Sequence, residues 1–408
     1  DSFSPRLPNH VIGTAGHVDH GKSTVVKALT GIDPDRLAEE KARQMTIDLG
    51  FAWFSLPNGQ TVGVVDVPGH RGFIENMLAG IGGIDAVLFV IAADEGVMPQ
   101  TREHLAIIDL LGIENGLIIL TKIDTLNGDE ELLLLLEEDI RETVKTTSLA
   151  HAPIVPVSAL TQFGMSNLHA HIATLIGTLP PHPIGNTPRL PVDRVFTMSG
   201  FGTVVTGTLA GGTLCQGDEI EFQPGGHRAR IRGIHAYRES VQCAYPGSRA
   251  AINIIGLATL EIQSGEVLSL PGLITPTGLI DVRFRHLSDA SRPLKHNAEV
   301  KFFTGTTETT AHIRLLEQEE LAPGEQSWLQ LRLDTPIAAS IGDRFIVRYP
   351  SPAETIGGGT IIDPHPPERW KRFRDDVIER LTLRAQGTPA QRLAQAADVP
   401  EPLKRAAL

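Results

Sequence analysis

The sequence predicts an α/β domain built around a phosphate loop, two antiparallel β-barrels after it, and a helical C-terminal segment. Three observations carry this reading. The stretch GHVDHGKS at 16–23 has the spacing G-x-x-x-x-G-K-S, with Gly16 and Gly21 bracketing the loop and Lys22 and Ser23 closing it. Short apolar runs alternate with helical segments up to about Pro180, as in a doubly wound fold. Beyond Pro188, β-branched runs are broken about every 8 to 12 residues by glycine or proline, the pattern of barrels. A chain of 408 residues is long for one compact domain and accommodates this division.

Residues 1–9 read as a flexible leader or tag remnant, and the α/β domain spans 10–180. HVIGTAG is the strand that feeds the loop, and Lys22 to Thr30 opens a helix. Further strands are expected at TVGVVDV (61–67), AVLFVIAA (86–93), GLIIL (116–120) and APIVPVS (152–158). Their continuous apolar character fits parallel strands buried on both faces. The leucine run ELLLLLEED (131–139) reads as a helix with a broad apolar face. PPHPIGNTP (180–188) reads as a linker. The first barrel, 188–272, takes GTVVTGTL, DEIEF, RARIRGI and RAAINII. A softer break at SLPGLITPTG precedes the second, 273–365, with IDVRFRHL, AEVKFFTG, TAHIRLLE, SWLQLRL and RFIVRYP. Residues 366–408 turn helical at ERWKRFRDDVIERLTLRAQ, carry an excess of basic side chains, and are too short to close a domain.

The net charge of -12, from 36 basic and 48 acidic residues, excludes a general polyanion binder, so any nucleic-acid contact is local. Cys215 and Cys243 are the only cysteines, a poor basis for a disulfide framework or a zinc site. They are expected as small core residues in a reducing cytosol. Neither a secretory signal nor an apolar run of membrane-spanning length is present, which points to a cytoplasmic protein with no membrane partner.

Glycines in the 16–23 loop let consecutive backbone N–H groups approach a β-phosphate, and the following helix N-terminus adds its partial positive charge. His17, Val18, Asp19, His20, Gly21, Lys22, Ser23 and Thr24 are the candidate phosphate contacts. Lys22 reaches the β and γ phosphates and Ser23 ligates Mg²⁺. In DVPGH, Asp66 ends a strand where it can hold Mg²⁺ through water, and the Gly69 N–H senses the γ-phosphate. Thr46, in EEKARQMTIDLGF, is the hydroxyl placed to meet Mg²⁺ and the γ-phosphate in the triphosphate state alone. TKID follows the run GLIIL, so the Asp124 carboxylate can accept both N1–H and the exocyclic amine of guanine while the Lys122 stem packs over the base. Ser158, Ala159 and Leu160 of VSAL complete the base pocket. Together these motifs select GTP and GDP.

GHVDHGKS, MTID, DVPGH, NMLAGIGGIDAVLFVIAADEGVMPQTREHL and the two barrels resemble translational GTPases of the EF-Tu type over roughly 10–365. Within that group, DPDRLAEEKARQMTIDLGFAWF, TKID and DRVFTMSGFGTVVTGTL resemble SelB, the selenocysteine-specific elongation factors. The resemblance implies a P-loop GTPase domain, two antiparallel β-barrels and the helical start of a truncated winged-helix region. It implies that His70 positions the attacking water once ribosomal RNA orients it. Val18 and Met45 match the family's apolar gate on that histidine, and His17, Asp19 and His20 then shape the loop. Thr121 stands where EF-Tu would carry asparagine, a substitution common in SelB proteins. Asp193, Arg194 and Arg249 match the aminoacyl pocket.

A selenol is far more acidic than a serine hydroxyl and is anionic at neutral pH, so two arginines could separate selenocysteyl-tRNA from the seryl precursor. At roughly 1.5 to 3 kcal/mol per charge-assisted hydrogen bond, the pair supplies on the order of 10² to 10⁴ in discrimination. GHRARIR, RFRHL, HIRLLEQEE and FIVRY offer scattered basic residues for tRNA phosphates. The implied partners are selenocysteyl-tRNA, the ribosome and, through C-terminal modules beyond Leu408, an mRNA hairpin; the carrier is expected to be a monomer. Three other readings stay open: a general EF-Tu-like carrier, the GTPase subunit of a sulfate adenylyltransferase, and a bare GTP-dependent switch.

Overall fold

The computed structural model describes residues 10–35, 46, 48–70, 73–237 and 239–397, and of 394, 396 and 397 the backbone alone. The leader and Met45 lie outside the described residues. The first unit runs β1 (His10–Gly16), α1 (Lys22–Thr30), β2 (Gly50–Ser55), β3 (Thr61–Asp66), α2 (Ile74–Ile81), β4 (Ala86–Ala92), α3 (Pro99–Leu111), β5 (Gly116–Thr121), α4 (Glu130–Val144), β6 (Ile154–Pro156) and α5 (Met165–Thr178). Its sheet has the order β2-β3-β1-β4-β5-β6. β2 is antiparallel to β3, and every other pairing is parallel.

Strand periodicity explains the three layers. In β4, Val87, Phe89 and Ile91 point into the core shared with α2, α3 and α4, while Ala86, Leu88 and Val90 point into the core under α1 and α5. Both sets are fully buried. β6 is shorter than APIVPVS suggests, since Pro153 and Pro156 bring no N–H to the ladder. The leucine run does form a helix, but its apolar face is half covered. Ile140 and Val144 are buried, whereas Leu132, Leu134 and Leu135 are exposed.

The second unit is an antiparallel sheet whose hydrogen-bonded order starts at Leu190–Pro191 and ends at Arg194–Met198. Only Val192 and Asp193 separate those two edges in the chain, so the sheet rolls back on itself around Leu190, Val205, Phe222, Ile231, Ile252 and Leu268. Cys215 and Cys243 face each other across the ladder between Leu214–Cys215 and Cys243–Ala244 and form a disulfide. This corrects the expectation of two unlinked core cysteines. Strand pairing, not sequence spacing, sets their separation.

The third unit is a closed six-stranded barrel. Phe284 and Phe302 both stack on Phe345 inside it, with centroids 6.4 and 5.2 Å away. Phe303 and Ile346 leave its outer wall to join the core of the α/β unit. Ion pairs ring this contact: Arg348 with Glu103, Lys301 with Glu75, and Arg285 with Asp109. RFRHL and FIVRY were candidate sources of phosphate contacts, but Arg285 and Arg348 are engaged between the units. In GHRARIR, Arg228 and Arg230 pair with Glu221 and Glu219 on the neighbouring strand.

The C-terminal segment forms α6 (Asp375–Gln386) and α7 (Pro389–Ala397). Trp370, Val377 and Leu381 bury against Leu316, Trp328 and Ile362 of the barrel. Trp370 Nε1 and Gln330 Nε2 donate to the buried Asp281 at 2.7 and 2.9 Å. Burial pushes the Asp281 carboxyl up to about 7, against the Trp370 hydrogen bond and with help from Asp363. A raised carboxyl binds its proton more tightly folded than unfolded, so its contribution is complete below about pH 4 and is lost as pH rises to about 7. Denaturant titrations at pH 5 and 7.5 are therefore expected to show a loss on the order of 1 to 3 kcal/mol at the higher pH, and a shallower slope in Asp281→Asn.

Candidate nucleotide site and a neighbouring arginine cluster

The loop after β1 leaves the sheet where β1 lies between β3 and β4, at the carboxyl ends of the strands, the usual place for a ligand in an open α/β sheet. A Cβ on Gly16 would lie 2.1 Å from Val90 O, and the residue has φ +138°, so only glycine fits. Asp19 adopts φ 62°, and Gly21 caps α1 at φ 84°. The Gly16 N–H donates to Nδ1 of the buried His104 at 3.0 Å. Burial holds His104 well below the usual imidazole range, which keeps that nitrogen an acceptor. His20 is buried and pushed down to about 4 by the same cause, and His17 is lowered less. Both loop histidines are neutral at physiological pH.

Lys22 Nζ is buried and donates to the carbonyls of His17 and Gly16 at 2.6 and 3.2 Å. Desolvation lowers its pKa to about 8 against the pull of Asp66, Asp19 and Asp35. DVPGH closes over this loop: a Cβ on Gly69 would lie 2.3 Å from Lys22 Nζ and 2.7 Å from Val18 N. His70 is half-buried beside Phe73, with rings 5.9 Å apart, and Val18 N–H donates to Gln100. Thr24 is exposed.

Ser23 Oγ donates to Asp66 Oδ2 at 2.6 Å and lies 2.8 Å from Thr46 Oγ1, which in turn reaches Asp35 Oδ1 at 2.8 Å. Thr14 donates to the other Asp66 oxygen at 2.6 Å. Burial raises Asp66 to about 6, opposed by the Ser23 and Thr14 hydrogen bonds and by Lys22. The three residues expected to hold Mg²⁺ thus converge, and Asp35 joins them. Two hydroxyls and two carboxylates form an all-oxygen donor set of the kind a hard divalent cation takes.

On the base side, Leu120 of β5 pairs with Pro156 of β6, so TKID and SAL emerge next to each other. Lys122 pairs with Asp94 at 3.0 Å, Asp124 sits in a short 3-10 turn, Ser158 is buried, Ala159 is half-buried and Leu160 is exposed. Thr121 Oγ1 donates to His20 O at 2.7 Å. The hydroxyl therefore braces the phosphate loop from β5, the work expected of an asparagine amide there.

Asp193, Arg194 and Arg249 form a second cluster at the seam between the first two units. Arg249 makes a bidentate pair with the buried Asp193, at 2.7 and 3.1 Å. Asp193 also accepts from Thr206. Arg194 Nη2 donates to Asp48 Oδ2 at 2.7 Å and to the Leu49 carbonyl. Both guanidinium groups lie over the Phe51 ring, 4.9 and 3.4 Å from its centroid.

The description of the elongation factor Tu GTP binding domain matches residues 8–178, and that of elongation factor Tu domain 2 matches 202–269. The description of the beta-barrel domain of the selenocysteine-specific elongation factor matches 281–368. A selenocysteine-specific elongation factor of Desulfomicrobium baculatum is 48% identical over 385 residues, 94% of this chain and 60% of its own length. That of Escherichia coli (strain K12) is 38% identical, over 89% of this chain and 56% of its own. Over nearly its whole length the chain is similar to the selenocysteine-specific elongation factors.

The crystal structure of bacterial EF-Sec superposes with TM-score 0.85 at 29% identity, covering 98% of this chain and 65% of that one. SelB from Methanococcus maripaludis, in complex with the GTP analogue GppNHp, gives 0.77 at 27% identity, over 91% and 81%. This chain spans about three fifths of the length of the curated SelB relatives. Within these two clusters, sequence reasoning missed Asp35, His104, Asp48 and Phe51. IDPD and TREHL carry no phosphate-loop motif, and only folding brings them to the loop. For Asp48 and Phe51 a signal was present, since both lie within five residues of Thr46.

Among the described residues, no helix is long and apolar enough to cross a membrane.

Proposed function

We propose that this chain is the GTP-dependent carrier part of a selenocysteine-specific elongation factor. It binds selenocysteyl-tRNA when GTP is bound, works as a monomer in the cytoplasm, and hydrolyses GTP on docking to the ribosome. The observation that carries this is the convergence of Arg194 and Arg249 over Phe51, two positive groups at the seam between the nucleotide unit and the barrel behind it.

Each residue has a task in that reading. The 16–23 backbone and Lys22 hold the phosphates, and Asp124, Lys122, Ser158, Ala159 and Leu160 hold guanine. Ser23, Thr46, Asp66 and Asp35 would hold Mg²⁺, which when bound neutralises charge on the β and γ oxygens. Gly69 lies against Lys22, where its N–H can read the γ-phosphate, and His70 next to it orients the attacking water. Val18, beside the Gly69 turn, serves as the apolar gate in this reading; its expected counterpart Met45 lies outside the described residues. An mRNA hairpin is a further partner in this reading.

The deciding experiment titrates one tRNA body charged with selenocysteine or with serine, against protein bearing a non-hydrolysable GTP analogue and then GDP. Tight binding of the selenocysteyl form alone, with the analogue alone, is expected. Equal binding of both charges would return the chain to a general carrier, and no binding to a bare switch.

A further inference from the structure

The nucleotide cluster and the arginine cluster are joined by one short piece of chain. Thr46 meets Ser23 at 2.8 Å, inside the Ser23, Asp66 and Asp35 group. Two residues on, Asp48 Oδ2 takes Arg194 Nη2 at 2.7 Å, while Asp48 Oδ1 is held by the Leu49 N–H at 2.8 Å. The Leu49 carbonyl accepts from the same guanidinium nitrogen, and the buried Leu49 side chain packs into the core of the α/β unit. Phe51 then lies beneath both arginines. One run of six residues therefore touches the γ-phosphate side of the site at its start and the aminoacyl side at its end.

Arg194 is held at one edge only. Its Nη2 is engaged, but its Nε is buried with no hydrogen-bond partner among the described residues. Arg249 differs, because it spends both terminal nitrogens on Asp193. A long guanidinium stem loses rotamer entropy when it is fixed, so a partner that fixes it beforehand removes that cost from ligand binding. A buried unpartnered donor also gains by meeting an anion.

We propose that Asp48 is the positioning residue that couples nucleotide state to aminoacyl recognition: it fixes Arg194 for the selenolate only while Thr46 sits at the Ser23–Asp66 cluster. When the Thr46 segment leaves, the Asp48 carboxylate leaves Arg194 with it, while Leu49 stays in the core and Phe51 in β2. The arginine then meets an anion with its charged partner gone and its head group less ordered. Coupling of this kind is reciprocal, so selenocysteyl-tRNA tightens GTP by the factor by which GTP tightens the tRNA. The inference rests on Arg194 and Arg249 being the aminoacyl pocket.

The test measures dissociation constants of the 408-residue chain for selenocysteyl-tRNA and seryl-tRNA, with GTP analogue and with GDP, in wild type, Asp48→Asn and Asp48→Glu. The wild type must first prefer the selenocysteyl form; if it does not, the pocket reading fails and takes this proposal with it. Given that preference, Asp48→Asn is expected to shrink the GDP-to-analogue ratio of selenocysteyl-tRNA dissociation constants by about three- to fivefold, the scale of a screened ion pair. Analogue affinity without tRNA should stay within about twofold. Asp48→Glu, which keeps the carboxylate, should recover part of the ratio. Weakening by one factor in both nucleotide states would mean a merely structural role and would overturn the proposal. So would an unchanged ratio, or tighter binding in both states, which would make Asp48 a competitor of the selenolate.

Discussion

His70→Ala is expected to lower ribosome-stimulated GTP hydrolysis by about 10²- to 10⁴-fold, the range of a positioned group acting on a proton or a water. Nucleotide affinity should stay within about threefold, because the phosphates are held by the 16–23 loop and Lys22 and not by this side chain. The geometry separates the two tasks. Gly69 lies directly against Lys22 Nζ and the Val18 N–H, whereas the described ring contact of His70 is with Phe73, 5.9 Å away. His70→Gln retains a hydrogen-bonding side chain of similar reach and should keep part of the rate. Single-turnover hydrolysis with saturating ribosomes, alongside equilibrium nucleotide binding, separates the two. An unchanged rate in His70→Ala would remove the histidine from the reaction, and a large loss of nucleotide affinity would make it a binding residue.

Much of this was written in the sequence because phosphate binding is local. A glycine-bracketed loop between a strand and a helix needs few residues, and its requirements for φ and for backbone approach leave a mark at Gly16 and Gly21. The barrels were also legible, since period-2 runs punctuated by glycine and proline have few other folded outcomes. What escaped was everything assembled across the chain. His104 reaches Gly16 from 88 residues away, and Arg285 reaches Asp109 from 176. Neither carries a motif, and basic residues drawn into such pairs look in sequence like free phosphate contacts. The cysteines failed for the same reason: their register across a ladder has no trace in their spacing. The leucine run formed the expected helix, although composition gives the apolar face of a helix but not what covers it.

Thr121 shows how far a single-residue departure can be absorbed. One hydroxyl on β5 reaches His20 O at 2.7 Å, so the loop is tied to the base side of the site without an amide. The brace is a feature of the strand end more than of the residue type.

Replacing Arg194 and Arg249 together by methionine is expected to erase the preference for selenocysteyl- over seryl-tRNA, a loss on the order of 10² to 10⁴. Methionine keeps the apolar stem over Phe51 and removes only the charge and its donors. The single variants should differ in a way the structure dictates. Arg249 is paired to a carboxylate whose side chain is 6% exposed, so Arg249→Met leaves that charge with Thr206 alone as a described side-chain partner. Removing one partner of such a pair costs about 3 to 5 kcal/mol, and the variant should lose stability along with discrimination. Asp193→Asn together with Arg249→Met removes the orphaned charge and should recover much of the stability but none of the discrimination. Arg194 pairs with an Asp48 side chain that is 44% exposed, where screening leaves an ion pair worth about 1 kcal/mol or less. Arg194→Met should therefore fold like the wild type and still lose roughly 10- to 100-fold in the ratio of the two dissociation constants. Paired tRNA titrations with thermal melts of each variant read both quantities. If Arg194→Met keeps the wild-type ratio, the selenolate does not meet this arginine, and the buried Nε of Arg194 is a cost of the fold instead of a socket for the substrate.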